Sequence, residues 1–487
     1  MKRLILSLAL VAAGCSSGKL MRYVPPDTRT DLTFNPATPE RTQLDNGIGV
    51  LSSTFEHPAT TTLALVFARG YVHDRVPGTA KLLGEWLQLE ADTNLSPGLD
   101  AVGAAVSTSV GTTSTRLMVT VEHQDVPAAM KALAQLLLHA DSELAFEAAK
   151  GHRLGAIASY RQNPAALAHL AIVQSTYGPS TSAFDSQGMG TRESLASISF
   201  DDLKAARNDM AVSASACWLI VGPQTQNDAY AWAVDATGGW GRRPPPTATT
   251  IPVAKQPGVV TFVPLRNFNT ATILVGTGVP PHPTPALQLV ASAAAGRSNH
   301  AMRELAQQTY GAHYAGLDDG PLSLLGVTAR VPHEHAKDAA GFMVRSFADV
   351  RTLTEWELDY GTTREVVGAY AQRGLATAHV NRLHEAFERG YTFAVGAPFQ
   401  ALPTMPGPEQ VMEAYRMHFL MKQLHVVIVG DPDVIEPHLK DVTHIVRTPE
   451  QILGPQRPAP EDLPSPTQDE GEGMPSPFEP EGASALD

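Results

Sequence analysis

The chain has 487 residues, of which 43% are hydrophobic, and it carries a formal net charge of -13. This length and composition suffice for two or three domains with complete hydrophobic cores. The acidic balance and the lack of a Lys/Arg run exclude a nucleic-acid partner, because no basic surface would neutralise a phosphate backbone.

The N-terminal residues predict an export signal with a lipid anchor. Lys2 and Arg3 precede an apolar run at residues 4–13, which is too short to span a bilayer. The run ends in Ala-Ala-Gly before Cys15, which resembles a bacterial lipoprotein signal and implies cleavage before Cys15 and its acylation. Ser16 then favours the outer membrane of a Gram-negative cell, with the protein facing the periplasm. The alternative is an ordinary secretory signal with a chance cysteine.

Composition divides the rest of the chain into two blocks and three connecting or terminal segments. Residues 16–38 are polar and contain Pro, which predicts a flexible tether. The blocks at residues 39–235 and 257–447 are separated by a linker at 236–256, which is rich in Gly, Pro and Thr. Residues 448–487 are acidic and Pro-rich, so we expect a disordered tail that cannot bury enough apolar surface to fold.

The two blocks resemble each other at a constant spacing of 208 residues. The paired landmarks are an apolar strand end at 67–70 and 275–278, a helix-opening Pro77 and Pro285, and a final strand at 218–222 and 426–430. Three landmarks at one spacing predict a duplicated domain.

Within a block, the periodicity predicts mixed strands and helices. In the first block, residues 63–67 are a β-rich run, 80–89 an amphipathic helix, 107–121 two alternating strands and 128–138 an Ala/Leu-rich helix. Strands followed by helices predict an α+β sandwich in which helices cover a mostly antiparallel sheet. Cys217 lies in an apolar strand and is interpreted as a small core residue.

Two sequence segments carry a resemblance to insulinase-type (pitrilysin-type) metallopeptidases. Residues 44–50 (LDNGIGV) resemble the family's opening strand, and residues 190–195 (GTRESL) resemble a later helix-initiating segment. The resemblance covers residues 40 to 447. It implies two homologous α/β sandwich domains that form a half-clamshell, two of which enclose a chamber for unfolded peptides.

The resemblance also implies a zinc motif, which this chain lacks. The family's signature is His-x-x-Glu-His on the first helix of the first domain. Lys81, Gly84 and Glu85 stand at the three motif positions. The family's third ligand is a Glu roughly 75 to 80 residues downstream, yet residues 148–184 contain neither Asp nor Glu. We therefore expect no metal in this chain and no peptidase activity from the chain alone.

No other hydrolytic or metal motif replaces it. His333 and His335 flank Glu334, and His379 and His384 lie near one another in sequence, but no second ligand cluster accompanies either pair. These histidines are interpreted as solvated polar residues.

The second block retains a different family feature. In two-chain family members, an Arg and a Tyr from the other subunit complete the zinc site. The segment at residues 302–312 (MRELAQQTYGA) matches that motif with Arg303 and Tyr310 at the family spacing. Gln307 replaces the family Gly; in the alternative register, Gln307 and Tyr314 would take the two positions. The structural alternative is an exposed helix Arg and a packed Tyr.

Two functions follow from this pattern. The first is a non-catalytic subunit of a heterodimeric zinc peptidase, whose Arg303 and Tyr310 stabilise an oxyanion in a partner's site. Zinc is then expected only in that zinc-bearing insulinase-type partner, the substrate is a peptide or unfolded polypeptide, and the membrane is contacted through the lipid anchor. The alternative is a structural or peptide-binding protein with no catalytic contribution.

Overall fold

The structure is a computed structural model, and it describes most of the two blocks. The described residues are 39–54, 59–92, 102–178, 188–243, 256–281, 283–317, 322–353, 357, 375–388 and 406–453. The predicted lipidation site Cys15, the tether and most of the predicted tail lie outside these residues. No helix in the described ranges is long and apolar enough to cross a membrane.

The first half of the molecule, residues 39–243, is built on a six-stranded sheet with the order β1-β2-β6-β3-β5-β4. Its strands are β1 (Glu40–Gln43), β2 (Gly49–Thr54), β3 (Thr60–Phe67), β4 (Ser107–Val110), β5 (Thr115–Glu122) and β6 (Ala216–Gly222). Only β2 and β6 pair in parallel. The central strands β3 and β6 are buried along nearly their whole length, which explains their continuous apolar sequences.

The second half, residues 256–453, repeats this arrangement in a sheet with the order β12-β7-β11-β8-β10-β9. Its strands are β7 (Val260–Pro264), β8 (Thr270–Gly278), β9 (Ala312–Leu317), β10 (Leu324–Pro332), β11 (His425–Gly430) and β12 (His444–Val446). Strands β7, β11, β8, β10 and β9 take the places of β2, β6, β3, β5 and β4. The predicted duplication and the mostly antiparallel α+β class are therefore confirmed.

Helices cover both faces of the sheets. In chain order they are α1 (Thr79–Glu90), α2 (Val126–His139), α3 (Glu143–Tyr160), α4 (Pro164–Tyr177), α5 (Arg192–Ser197), α6 (Phe200–Met210), α7 (Gln226–Thr237), α8 (Pro285–Asn299), α9 (Ala336–Asp349), α10 (Ala376–Glu388), α11 (Pro408–His418), α12 (Pro432–Leu439) and α13 (Pro449–Leu453). The predicted helix-initiating segment is confirmed, since the hydroxyl oxygens of Thr191 and Ser199 accept backbone N–H bonds that cap α5 and α6.

Each half has its own core on one face of its sheet. In the first half, α1 buries Leu82, Leu87 and Trp86 against Trp218 of β6. In the second half, α8 and α9 pack on β8 and β10 around residues such as Phe347. Because each side chain that is fully buried here contributes about 1.5–3 kcal/mol, the helices are held to the sheets chiefly by this apolar contact.

The opposite face of each sheet is covered by a helix from the other half. Helix α4 of the first half packs on β8 and β11, whereas α10 of the second half packs on β3 and β6. Cys217 lies beneath α10, and burial raises the pKa of its thiol to about 12. The interpretation of Cys217 as a core residue is confirmed.

Two predicted boundaries were wrong. Residues 44–48 form the turn between β1 and β2, where Gly47 has a φ of 96°, so the strand begins only at Gly49. At the other end, the folded part continues past the predicted tail boundary at residue 448, because α13 buries Ile452 and Leu453 against α4.

Candidate functional site

Helix α1 begins at a partly buried carboxylate. Gly78 has a φ of 96° and lets the chain turn sharply into the helix. Both carboxylate oxygens of Asp74 accept the N–H of Ala80, at 3.0 and 3.1 Å. Burial raises the pKa of Asp74 to about 7, and the helix N–H groups oppose that shift only in part. The sequence offered no sign of this capping carboxylate, which lies six residues before its bonding partner.

Lys81, at the position of the family's first zinc ligand, makes contacts suited to a cation. Its Nζ donates a hydrogen bond to the carbonyl oxygen of Val110 on β4. The same ammonium lies 5.9 Å from the centre of the Tyr71 ring. Lys81 therefore contributes a positive charge where a zinc site needs a neutral imidazole.

Gly84, at the position of the family's general base, lies where the helix approaches β4 most closely. A Cβ atom at this position would lie 2.7 Å from Cγ2 of Val110. The Thr108 hydroxyl donates a hydrogen bond of 2.9 Å to the Gly84 carbonyl and fixes the same approach. The glycine thus permits tight helix–strand packing and leaves no room for a glutamate.

Glu85, at the position of the second ligand, is paired with cationic or polar groups of α3. Its two oxygens lie 3.3 Å from Nδ1 of His152 and 3.8 Å from Nε of Arg153. Burial lowers the pKa of Arg153, and the charge of Glu85 partly opposes that shift. The helix facing the motif therefore presents a guanidinium beside Glu85, and this positive charge opposes binding of a metal cation there.

The residues at this position do not fit zinc. Lys81 and Arg153 bring positive charge, Gly84 has no carboxylate, and Glu85 is the one acidic group among the three motif positions. In the ranges that the structure describes, no group of three or more His, Cys, Asp or Glu side chains could hold a metal ion.

Two of the four histidines expected to be solvated are buried, and the other two, His335 and His384, are partly buried. His333 and His379 are only 7% and 9% exposed, so that interpretation was wrong. His333 accepts a hydrogen bond from the N–H of Asp431 through Nε2, at 3.3 Å. His384 on α10 is also largely buried, and burial lowers its pKa to about 4, with a further contribution from Arg116.

His384 belongs to a polar cluster that joins the two halves. Ser114, in the turn between β4 and β5, donates to Oε1 of Glu388 at 2.6 Å, and its Oγ lies 2.8 Å from Nε2 of His384. Nearby, Arg116 donates to the amide oxygen of Asn381 at 2.6 Å. Ser114 is only 1% exposed, so the cluster fastens α10 to the first sheet rather than presenting a nucleophile.

In the second half, α8 stands where α1 stands in the first. It continues into a π-helical turn, His300–Leu305. Met302 is fully buried in the second core, whereas Arg303 and Leu305 on the same turn are exposed. π-helical turns are rare and are frequent at functional sites. Burial of Met302 thus anchors a turn that presents Arg303 to solvent.

Tyr310 projects from the segment between this turn and β9. Its side chain is 99% exposed, and neither it nor Arg303 has a hydrogen-bond partner within the described part of the chain. Tyr314, the alternative tyrosine, is half-buried in β9 against the second core. Gln307 has a φ of 51°, in the left-handed region that favours glycine. The motif of residues 302–312 is therefore presented on a projecting turn of the second half.

The chain is similar to known proteins in its fold, whereas comparison of its sequence finds no match. No protein-family model matches the sequence, and no curated protein matches it. A solved structure from Pseudomonas fluorescens, a peptidase M16 inactive domain, superimposes with a TM-score of 0.72 at 19% identity, covering 81% of this chain and 98% of that chain. A protease from Helicobacter pylori gives a TM-score of 0.71 at 12% identity, covering 82% and 100%.

The periplasmic protease PqqL from Escherichia coli is similar over part of its length. Its first half alone gives a TM-score of 0.65 at 15% identity, covering 88% of this chain and 99% of that chain. In the larger PqqL structure, the match covers 85% of this chain but only 49% of the PqqL chain. This chain therefore has the two-domain insulinase-like fold of M16 peptidases and of their inactive domains.

Proposed function

We propose that this chain is a non-catalytic subunit of a heterodimeric insulinase-type zinc peptidase. It supplies Arg303 and Tyr310 to the site of a partner subunit that holds the zinc and hydrolyses peptides. The proposal depends on a contrast within this chain. On α1, Lys81 and Glu85 make hydrogen bonds or ion pairs with other residues of the chain. After α8, Arg303 and Tyr310 are exposed and have no partner among the described residues.

The chemistry of the two donors suits this role. A guanidinium and a phenol are hydrogen-bond donors that can hold a peptide carbonyl and stabilise the oxyanion of a tetrahedral intermediate. In this chain both face solvent, so they have no reacting group of their own to act on. The left-handed φ of Gln307 supports the gapless register, because it puts the strained position where the family motif has Gly.

The similar structures support the need for a second half. One is described as an inactive M16 domain, and a protease of this fold, PqqL, is about twice as long as the region that this chain matches. We infer that the partner supplies an equivalent two-domain half with an intact zinc motif. We further propose that Cys15 is lipidated and that the complex is held at the outer membrane, facing the periplasm.

The proposal is tested by mixing the purified chain with an insulinase-type subunit from the same organism that carries the intact motif. We expect Arg303→Ala to lower kcat/KM for a quenched peptide about 100-fold, in the range found when one oxyanion donor is removed. Tyr310→Phe should lower it about tenfold, since it loses one hydroxyl donor. Assembly, measured by analytical ultracentrifugation, should be unchanged.

Arg416→Ala and Tyr230→Phe are matched controls, because both side chains lie at exposed positions outside the motif. They should leave hydrolysis and assembly unaltered. Full activity of the Arg303→Ala and Tyr310→Phe complexes would refute the proposed roles and favour a structural or peptide-binding protein.

A further inference from the structure

Tyr310 makes no side-chain contact that would fix its direction, so its position depends on the backbone on either side. The ring is 99% exposed. The neighbouring residues are held firmly, however, by two side chains that the motif comparison does not explain. These side chains belong to Thr309 and Asn299.

Thr309 ties the segment to the second sheet. Its hydroxyl donates to the carbonyl oxygen of Arg330 on β10, with an Oγ1–O distance of 2.6 Å. The same Oγ1 accepts the N–H of Gly311 at 3.2 Å. The hydroxyl thus links β10 to the backbone just after residue 310, while the Tyr310 side chain stays exposed.

Asn299 fixes the next residue. Its Oδ1 accepts the N–H of Ala312 at 3.2 Å, which joins the last residue of α8 to the first residue of β9. A backbone bond from the N–H of Gln308 to the carbonyl of Met302, at 2.8 Å, holds the other side of the segment to the π-helical turn. Among the side chains that the structure describes, the Thr309 hydroxyl is the one that spans residue 310, by bonding from residue 309 to the N–H of Gly311.

We propose that Thr309 is a positioning residue, which holds the Tyr310 phenol at the place where it meets the carbonyl of a peptide in the partner's site. This inference rests on the proposed function of Tyr310. Placement matters because a shift of about 1 Å in a catalytic group can lower a rate on the order of 100-fold.

Thr309→Val removes the hydroxyl and keeps the shape of the side chain. In the mixed complex, we expect it to lower kcat for a quenched peptide about tenfold with KM within about twofold of wild type. Thr309→Ser, which keeps the hydroxyl, should restore most of the turnover. In a Tyr310→Phe background, Thr309→Val should cost little further, because the group it positions is already lost.

A second measurement uses the chain alone. Amide hydrogen exchange at Gly311 should accelerate several-fold in Thr309→Val, while exchange in β10 and the melting temperature stay close to wild type. Unchanged exchange at Gly311 would overturn the positioning geometry whatever the partner does.

The outcomes separate this inference from the proposed function. If Tyr310→Phe lowers turnover but Thr309→Val does not, the positioning role alone is wrong. The same conclusion follows if Thr309→Val costs equally in both backgrounds, since its effect is then a general structural one. If Tyr310→Phe has no effect in an active complex, the proposed function fails and the positioning role fails with it.

Discussion

Helices α1 and α8 occupy the same place in the two halves, yet their polar residues are used in opposite ways. On α1, Lys81 and Glu85 are bonded or paired within the chain, and Gly84 is closed against β4. After α8, Arg303 and Tyr310 face solvent without partners in the described residues. The motif residues of α1 therefore contribute to the fold, whereas the segment after α8 presents two hydrogen-bond donors to solvent.

Each of the three motif positions on α1 makes a structural contact within the chain. Arg303 and Tyr310 make no such contact with the described residues, which is the expected condition of side chains whose ligand or partner lies in another molecule.

The largest predicted effect is on the pH dependence of stability, because α1 and α8 begin at different capping side chains. Asp74, with its pKa raised to about 7 by burial, caps α1, whereas the Thr284 hydroxyl caps α8. Between the unfolded pKa near 4 and the folded pKa near 7, the folded state binds more protons, so stability falls as pH rises. In the wild-type protein, Asp74 should therefore lower the free energy of unfolding by about 2 kcal/mol between pH 5 and 8. We expect Asp74→Asn to abolish this decrease.

Urea unfolding at several pH values measures that effect. Asp228→Asn is the control, because hydrogen bonds from Thr225 lower the pKa of Asp228, and its influence therefore lies at more acidic pH. Parallel pH profiles for Asp74→Asn and wild type would show that Asp74 is not a buried cap.

The next prediction tests whether Gly84 of α1 packs so tightly against β4 that no larger side chain fits. Gly84→Ala should lower the free energy of unfolding by about 1–2 kcal/mol, because the new Cβ would lie 2.7 Å from Val110. Gly155→Ala on α3 is the matched control, since a Cβ there meets nothing within 4 Å. It should raise stability by about 0.5–1 kcal/mol through helix propensity. An increase in the free energy of unfolding on Gly84→Ala would contradict the tight packing of Gly84 against β4.

The smallest effect concerns the segment after α8. Gln307→Gly should raise the free energy of unfolding by up to about 1 kcal/mol, because glycine adopts a positive φ without steric cost. Gln307→Ala keeps a Cβ and should give no such gain. Both are measured by thermal unfolding; a destabilising Gln307→Gly would remove the support for the gapless register.

The sequence predicted the central elements well because their periodicity is strong. The buried strands β3 and β6, the amphipathic α1 and the duplicated strand order all follow from local patterns or their spacing. Helices α4 and α10 each pack on the sheet of the other half. This could not be predicted, since the apolar face of a helix does not reveal which sheet it covers.

Parts of the site escaped prediction for the same reason. The hydrogen bond from Ser114 to Glu388 joins residues 274 positions apart, and the Ser114 hydroxyl also contacts His384 across a similar separation of 270. The side chains of Lys81, Gly84 and Glu85 led to the prediction that they bind no zinc, whereas the contacts that they make could be seen only in the fold. The exposure of Arg303 and Tyr310 likewise required the structure.

The account is tested most directly by peptide hydrolysis measured for three samples: this chain, an insulinase-type subunit with an intact zinc motif from the same organism, and their equimolar mixture. Metal content of each purified chain is measured alongside. We predict no stoichiometric zinc and no hydrolysis for this chain, and hydrolysis by the mixture well above that of either subunit. One zinc per molecule of this chain with hydrolysis by the chain alone, or a mixture no more active than the partner, would contradict it.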